Sequence, residues 1–138
     1  MFAGYFSPRF APMEVVVMSH VLVVEDDVDV ADLIRTVLTT GGHDVEVAGD
    51  GRAGLAAANA RRPDVVLLDW MMPGMPGLEV CRALRADESF AQTRVMMVTT
   101  RSAPQDIEAA RAAGVDDYVV KPFSPRELCE RVDRLTEH

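Results

Sequence analysis

The feature that most restricts this chain is a set of short apolar runs with no polar interruption: Val21-Leu22-Val23-Val24, Val65-Val66-Leu67-Leu68, Val95-Met96-Met97-Val98 and Tyr118-Val119-Val120. A strand covered on one face alternates apolar and polar side chains; one covered on both faces reads as a continuous run. The stretches between the runs carry their apolar residues at helical spacing. After the first run, Val30, Ile34, Val37 and Leu38 mark a helix that Asp27 can cap and Gly41-Gly42 can end. Val45 and Val47 then alternate with Asp44 and Glu46, as in a half-exposed edge strand. Asp50 caps an Ala-rich helix running to about Asn59 and closed by Pro63. A helix from about Leu78 to Arg85 follows the next run, and residues 87–93 read as a loop. Pro104 sits in the first turn of a helix that stops at Gly114. Ser124-Pro125 with Glu127 opens the last helix, whose inner face is Leu128, Val132 and Leu135.

Strand and helix thus alternate five times. That pattern predicts an α/β fold: a doubly wound (βα)5, flavodoxin-like three-layer sandwich with a parallel sheet covered by helices on both faces. Right-handed crossovers give the strand order 2-1-3-4-5 and place the switch point between strands one and three. The 138 residues suffice for one domain. The net charge of −8 disfavours non-specific nucleic-acid binding and suits a cation or a basic partner surface. Cys81 and Cys129 lack CxxC spacing and read as reduced thiols. No run approaches transmembrane length. Residues 1–18 have neither a basic nor a continuous apolar segment of a secretory signal, and Pro8 and Pro12 break any periodicity. They are expected to form a disordered or loosely packed extension, unless translation begins at Met18.

The third run stops on Asp69, and Pro73, Gly74, Pro76 and Gly77 turn the chain. An Asp there can simply start a turn. It also stands at the C-terminal end of a buried parallel strand, where open α/β sheets bind ligands. Across the switch point the first strand ends on Glu25 and Asp26, and the next strand ends add Thr99 and Lys121. Three carboxylates in contact repel and call for a counter-charge. A hard divalent cation such as Mg²⁺ takes oxygen ligands, keeps waters and accepts a phosphate oxygen. With an ammonium and a hydroxyl beside it, the crevice forms a clamp for a phosphoryl group, with an aspartate as nucleophile. Lys121 is the only lysine among fourteen basic residues. A chance surface lysine is the plain alternative, but a compact point charge suits a site too tight for a guanidinium fork.

In this order and spacing, Val23-Val24-Glu25-Asp26-Asp27, Leu68-Asp69-Trp70-Met71-Met72-Pro73, Val98-Thr99 and Tyr118-Val119-Val120-Lys121-Pro122-Phe123 resemble the receiver domain of bacterial two-component response regulators. The likeness to this CheY-like superfamily covers residues 20–137 and implies a receiver domain over 19–138. It implies that Asp69 takes a phosphoryl group from a sensor histidine kinase or histidine phosphotransfer protein in a Mg²⁺-dependent reaction. Glu25 and Asp26 would hold Mg²⁺ with Asp69, directly or through water, with the backbone carbonyl of Met71 as a further ligand. Thr99 and Lys121 would bind the phosphoryl oxygens, and Tyr118 would change rotamer with Thr99 on activation. Such a protein is cytoplasmic, has no membrane or direct nucleic-acid contact, and catalyses only its own phosphorylation and dephosphorylation. Two departures stand out. Met75 and Pro76 precede Gly77, where receivers usually have an Asp before the Gly, and Met71 and Arg101 occupy variable positions that bear on the lifetime of the phosphorylated state.

With no DNA-binding domain after Arg134, the expected output is a switched protein-protein surface contacting a downstream target. Yet residues 114–128 look like receivers that precede winged-helix DNA-binding domains, the alternative reading. Those dimerise through the fourth helix, fifth strand and fifth helix; Asp117 and Arg131 are candidates for a cross-subunit pair, while Ile107 stands where an Arg is expected.

Other readings compete. Gly49-Asp50-Gly51-Arg52-Ala53-Gly54 is a literal GxGxxG before a helix, with Asp69 about 20 residues on. Against it, the preceding strand alternates like an edge strand and Asp50 would face the pyrophosphate. A haloacid-dehalogenase-like phosphatase needs a second Asp two residues after the nucleophile, where this chain has Met71. An interaction module with a dead site would not need the set Asp26, Asp69, Thr99 and Lys121. His20, His43 and His138 are expected on the surface, Met71, Met72 and Met75 as loop packing, and Arg61-Arg62 as a solvated helix end.

Overall fold

The computed structural model describes residues 19–137. The elements are β1 (His20–Val24), α1 (Val28–Thr40), β2 (Asp44–Ala48), α2 (Gly51–Ala60), β3 (Val65–Leu68), α3 (Gly77–Arg85), β4 (Arg94–Thr99), α4 (Pro104–Ala113), β5 (Asp117–Val120) and α5 (Pro125–Thr136). The five strands form one parallel sheet in the order β2-β1-β3-β4-β5. The expected 2-1-3-4-5 topology is the observed one.

Strand alternation divides the core in two. Val21, Val23, Val65, Leu67, Met96, Val98 and Val119 point to one face and pack on Ile34 and Leu38 of α1 and Leu128 and Val132 of α5. Leu22, Val24, Val66, Leu68, Val95 and Met97 point to the other, under Ala58 of α2, Leu84 of α3 and Ala110 of α4. Residues 21–24 of β1, 65–68 of β3 and 95–98 of β4 are buried on both faces, which is why those runs contain no polar position. At the edge, β2 keeps its first four residues half-buried, matching its alternation of acid and valine.

Local signals set the helix ends. The side chains of Asp27, Asp50 and Ser124 accept from the backbone N–H groups of Val30, Ala53 and Glu127, so three helices start on an oxygen cap. At the end of α4, Gly114 takes φ 105°, a left-handed conformation that favours glycine. Gly77 is needed for a different reason: a Cβ there would collide with the Asp69 carbonyl oxygen. Its N–H donates to the Trp70 carbonyl at 3.0 Å, which draws the start of α3 against the end of β3.

Several expectations need correction. His20 and His43 are buried, not on the surface. His20 begins β1 one residue early, and its ring nitrogens lie 3.3 Å from Asp44 and 3.3 Å from Glu46 on β2. His43 Nε2 reaches Asp133 Oδ1 of α5 at 2.8 Å. The Asp133 bond offsets burial of the His43 ring, whereas the His20 ring nitrogens lie near carboxylates without a hydrogen bond to them; neither placement is visible to local pattern. His138 and the extension over 1–18 lie outside the described residues. The segment read as a loop contains a 3₁₀ turn, Glu88–Phe90, which inserts Phe90 into the core. Met72 packs inside as expected, but Met71 is exposed. Arg61 is not simply solvated: it pairs with Asp44 at 2.7 Å. Both cysteines are free thiols, Cys81 buried and Cys129 partly so. Among the described residues, no helix is long and apolar enough to cross a membrane.

Candidate functional site

The crevice at the C-terminal end of the sheet is rigid because the strand ladder continues through its residues. Glu25 N–H donates to the Ala48 carbonyl at 3.0 Å, Asp69 N–H to the Val24 carbonyl at 3.1 Å, and Lys121 N–H to the Thr99 carbonyl at 2.8 Å. Each side chain therefore leaves a backbone already tied to its neighbouring strand. The carboxylates of Glu25, Asp26 and Asp69 offer oxygens that all lie within 4.8 Å of one another. Glu25 and Asp69 are buried, while Asp26 faces solvent at the mouth.

The Lys121 ammonium reaches between the two buried acids, donating to Glu25 Oε1 at 2.7 Å and to Asp69 Oδ2 at 3.4 Å. The second Glu25 oxygen accepts from the Asp27 N–H at 3.2 Å. These contacts only partly offset the cost of holding the carboxylate out of water. Burial, with Asp69 beside it, pushes Glu25 up to about 7, against the Lys121 and Asp27 bonds that pull it down. For Lys121, burial disfavours the charge, but Glu25 and Asp69 outweigh it and hold the ammonium above its ordinary value. The cluster as it stands has three acids against one base, an oxygen-rich donor set that suits a hard divalent ion.

Around this centre, the Met71 N–H donates to Asp69 Oδ1 at 3.3 Å. Thr99 is fully buried at the end of β4, and its hydroxyl oxygen accepts from the Arg101 N–H at 3.4 Å. Tyr118 on β5 turns its hydroxyl toward the loop after β4 and donates to the Arg101 carbonyl at 2.8 Å. The structure thus gathers Glu25, Asp26, Asp69 and Lys121 directly, with Thr99 and Tyr118 joined to each other through Arg101. The Asp117–Arg131 pair forms within the chain, at 2.7 Å.

The sequence places Arg101 beside the site, but does not show its contact with Trp70. Arg101 lies over the Trp70 ring, 4.8 Å from its centroid, and its guanidinium also meets Asp106 of α4 at 3.2 Å. The available signals were modest: Trp70 is the only tryptophan and follows Asp69 directly, and Arg101 stands two residues after Thr99.

The glycine-rich stretch has a packing role instead. A Cβ at Gly54 would sit 2.8 Å from a Val24 methyl, and one at Gly51 would sit 2.8 Å from Met75. The Asp50 carboxylate takes the N-terminal amide of α2 at 2.8 Å, where a dinucleotide phosphate would have to bind.

Residues 21–133 match the family model of the response regulator receiver domain. The chain is 45% identical over 113 residues to the DNA-binding response regulator MtrA of Mycobacterium tuberculosis (strain ATCC 25618 / H37Rv), covering 82% of this chain and 48% of that protein. It is 44% identical over 115 residues to the sensory transduction protein RegX3 of Mycolicibacterium smegmatis, covering 83% of this chain and 49% of that protein. Among solved structures it resembles the Vibrio cholerae chemotaxis protein CheY4, with a TM-score of 0.82, 34% identity, and coverage of 86% of this chain and 99% of that one. The chain spans about half the length of the curated relatives it matches.

Proposed function

This chain belongs to the response regulator receiver family, and from that membership we propose that it accepts a phosphoryl group on Asp69 and signals through the resulting change of surface. The observation that carries the reading is the buried pair Glu25 and Asp69, bridged by the Lys121 ammonium beside a third carboxylate, Asp26. An Asp69 oxygen attacks the phosphorus of a phosphohistidine; the P–O bond forms as the P–N bond breaks, and the imidazole, already protonated on its other ring nitrogen, takes the P–N electron pair and leaves neutral. The donor is a sensor histidine kinase or a histidine phosphotransfer protein. Lys121 and the Thr99 hydroxyl neutralise and hold the phosphoryl oxygens. Glu25, Asp26 and Asp69, with the Met71 carbonyl, are the residues that would hold Mg²⁺. When bound, that ion offsets the carboxylate charge and polarises a phosphoryl oxygen. Beyond this self-directed chemistry the domain is not an enzyme.

Residues 19–138 act as the signalling unit in the cytoplasm, and the downstream partner is a protein, with no membrane or nucleic-acid contact by this unit. A second reading is supported by the names and lengths of the relatives. MtrA is a DNA-binding regulator about twice as long as the match, so this chain corresponds to the receiver part of such a regulator. In that case α4, β5 and α5 form a homodimer surface, and the internal Asp117–Arg131 pair would have to open or be shared for a cross-subunit bond.

Acetyl phosphate with Mg²⁺ tests the core of the proposal by intact-mass measurement. One phosphoryl group is expected on the parent, none on Asp69→Asn and none in chelator. Unchanged phosphorylation of Asp69→Asn would overturn the assignment.

A further inference from the structure

Arg101 is bonded to both Thr99 and Tyr118, the two residues of the proposed rotamer switch. Its N–H donates to the Thr99 hydroxyl at 3.4 Å, and its carbonyl accepts from the Tyr118 hydroxyl at 2.8 Å. Its guanidinium stacks on Trp70, the neighbour of Asp69, at 4.8 Å and pairs with Asp106 of α4 at 3.2 Å. The backbone contacts face the switch, and the side-chain contacts face the two elements that flank it.

We propose that Arg101 is a positioning residue that latches the resting state: its stack on Trp70 holds the loop after β4 where Tyr118 is bonded outward, and phosphorylation must displace it. The inference rests on the phosphoacceptor reading of Asp69. Thr99 is buried with its hydroxyl oxygen on the Arg101 N–H, so a pull of that hydroxyl toward a phosphoryl group on Asp69 draws residues 99–101 with it. The Arg101 carbonyl then leaves Tyr118, and the guanidinium cannot keep its place over a Trp70 ring that packs against the core. A cation over a half-buried indole that keeps contact with water is worth about 0.5–1 kcal/mol. Removing that bias from the resting state shifts the equilibrium toward the switched state by about two- to fivefold.

The test uses the full chain labelled with 3-fluorotyrosine, its two tyrosine signals assigned through Tyr5→Phe. Beryllofluoride with Mg²⁺ serves as the phosphoryl mimic, read by fluorine NMR at Tyr118 and by the emission of the single tryptophan. Arg101→Ala is expected to move the resting Tyr118 signal part of the way to its switched position. It should also lower the beryllofluoride concentration at half-response by about two- to fivefold. Arg101→Lys, which keeps a cation near the ring, should fall between Ala and the parent. A residue that merely stabilised the fold would leave both Tyr118 readouts where they are. If the parent responds and Arg101→Ala matches it in resting signal and half-response, the latch is overturned while the phosphoacceptor reading stands. If the parent itself takes up no beryllofluoride, both fall.

Discussion

Arg85 and Lys121 are partly buried cations at opposite ends of the same sheet, and their surroundings differ in kind. Near the strand starts, the Arg85 guanidinium donates to the carbonyls of Gly114, Phe90 and Thr93 and to Asp116, at 2.7–3.2 Å. Asp116 in turn accepts from the Val95 N–H at 2.8 Å, so charge and hydrogen bonds close on themselves. At the strand ends, Lys121 meets two buried acids and leaves a third, Asp26, near them. The first arrangement is satisfied and ties α3, β4 and β5 together. The second carries an excess of negative charge that a bound cation, or a proton on Glu25, relieves. A planar fork suits the first because its targets are several fixed carbonyls; a compact ammonium suits the second because its targets are about to change charge.

The comparison is broken most severely by Arg85→Ala. It removes the guanidinium from the carbonyls of Gly114, Phe90 and Thr93 and from Asp116, of which Phe90 keeps the Thr93 N–H and Asp116 the Val95 N–H, and should cost about 2–4 kcal/mol in urea unfolding. The Mg²⁺ response of the opposite end should survive. Loss of that response at a concentration of urea where the variant is folded would show that the two ends are not separable.

Relief of the excess charge is the next largest effect. Millimolar Mg²⁺ should stabilise the protein over excess chelator by roughly 1–2 kcal/mol at several-fold saturation. Asp26→Asn should abolish most of that gain and raise the melting temperature of the metal-free protein, because it deletes a repelling charge. Equal melting temperatures for the parent in chelator and in Mg²⁺ would rule out a metal centre here.

A third outcome concerns pH. Glu25 lies at about 7 in the folded state against 4.5 ordinarily, so between these values the folded chain binds more protons than the unfolded chain. In chelator its contribution to stability therefore falls as pH rises from about 4.5 through about 7: the penalty is absent below that window and complete above it. Denaturant unfolding across the window should show this decline, and Glu25→Gln should flatten it. A rising Glu25-dependent stability would reverse the reading of which force dominates that carboxyl.

The smallest effect separates the centre from its rim. Met71 is 57% exposed two residues after Asp69, and its backbone N–H donates to the Asp69 carboxylate. An apolar side chain there cannot orient an attacking water, whereas a polar one can. Met71→Asn should shorten the life of the phosphorylated form about threefold, under 1 kcal/mol of barrier, with Mg²⁺ affinity unchanged. Matching decay of the two proteins, followed by intact mass, would remove Met71 from any role in lifetime.

Much of this molecule was legible in the chain itself because its signals are local. Strands buried on both faces must be apolar throughout, so β1, β3 and β4 declare themselves. The caps Asp27, Asp50 and Ser124 lie three residues from the N–H groups they serve. Asp69 and Lys121 could be placed in one crevice because parallel topology brings successive strand ends to one side. Tertiary structure alone decided what depends on distances between elements far apart in sequence. His20 is buried beside carboxylates on β2 and His43 is bonded to one on α5, and no window of sequence contains both partners of the His43–Asp133 pair. Asp117 and Arg131 meet within the chain because β5 and α5 lie side by side, where residue types alone equally allowed a bond between subunits. The stacking of Arg101 on Trp70 follows from where two loops end in space, a matter of geometry that neither residue carries by itself.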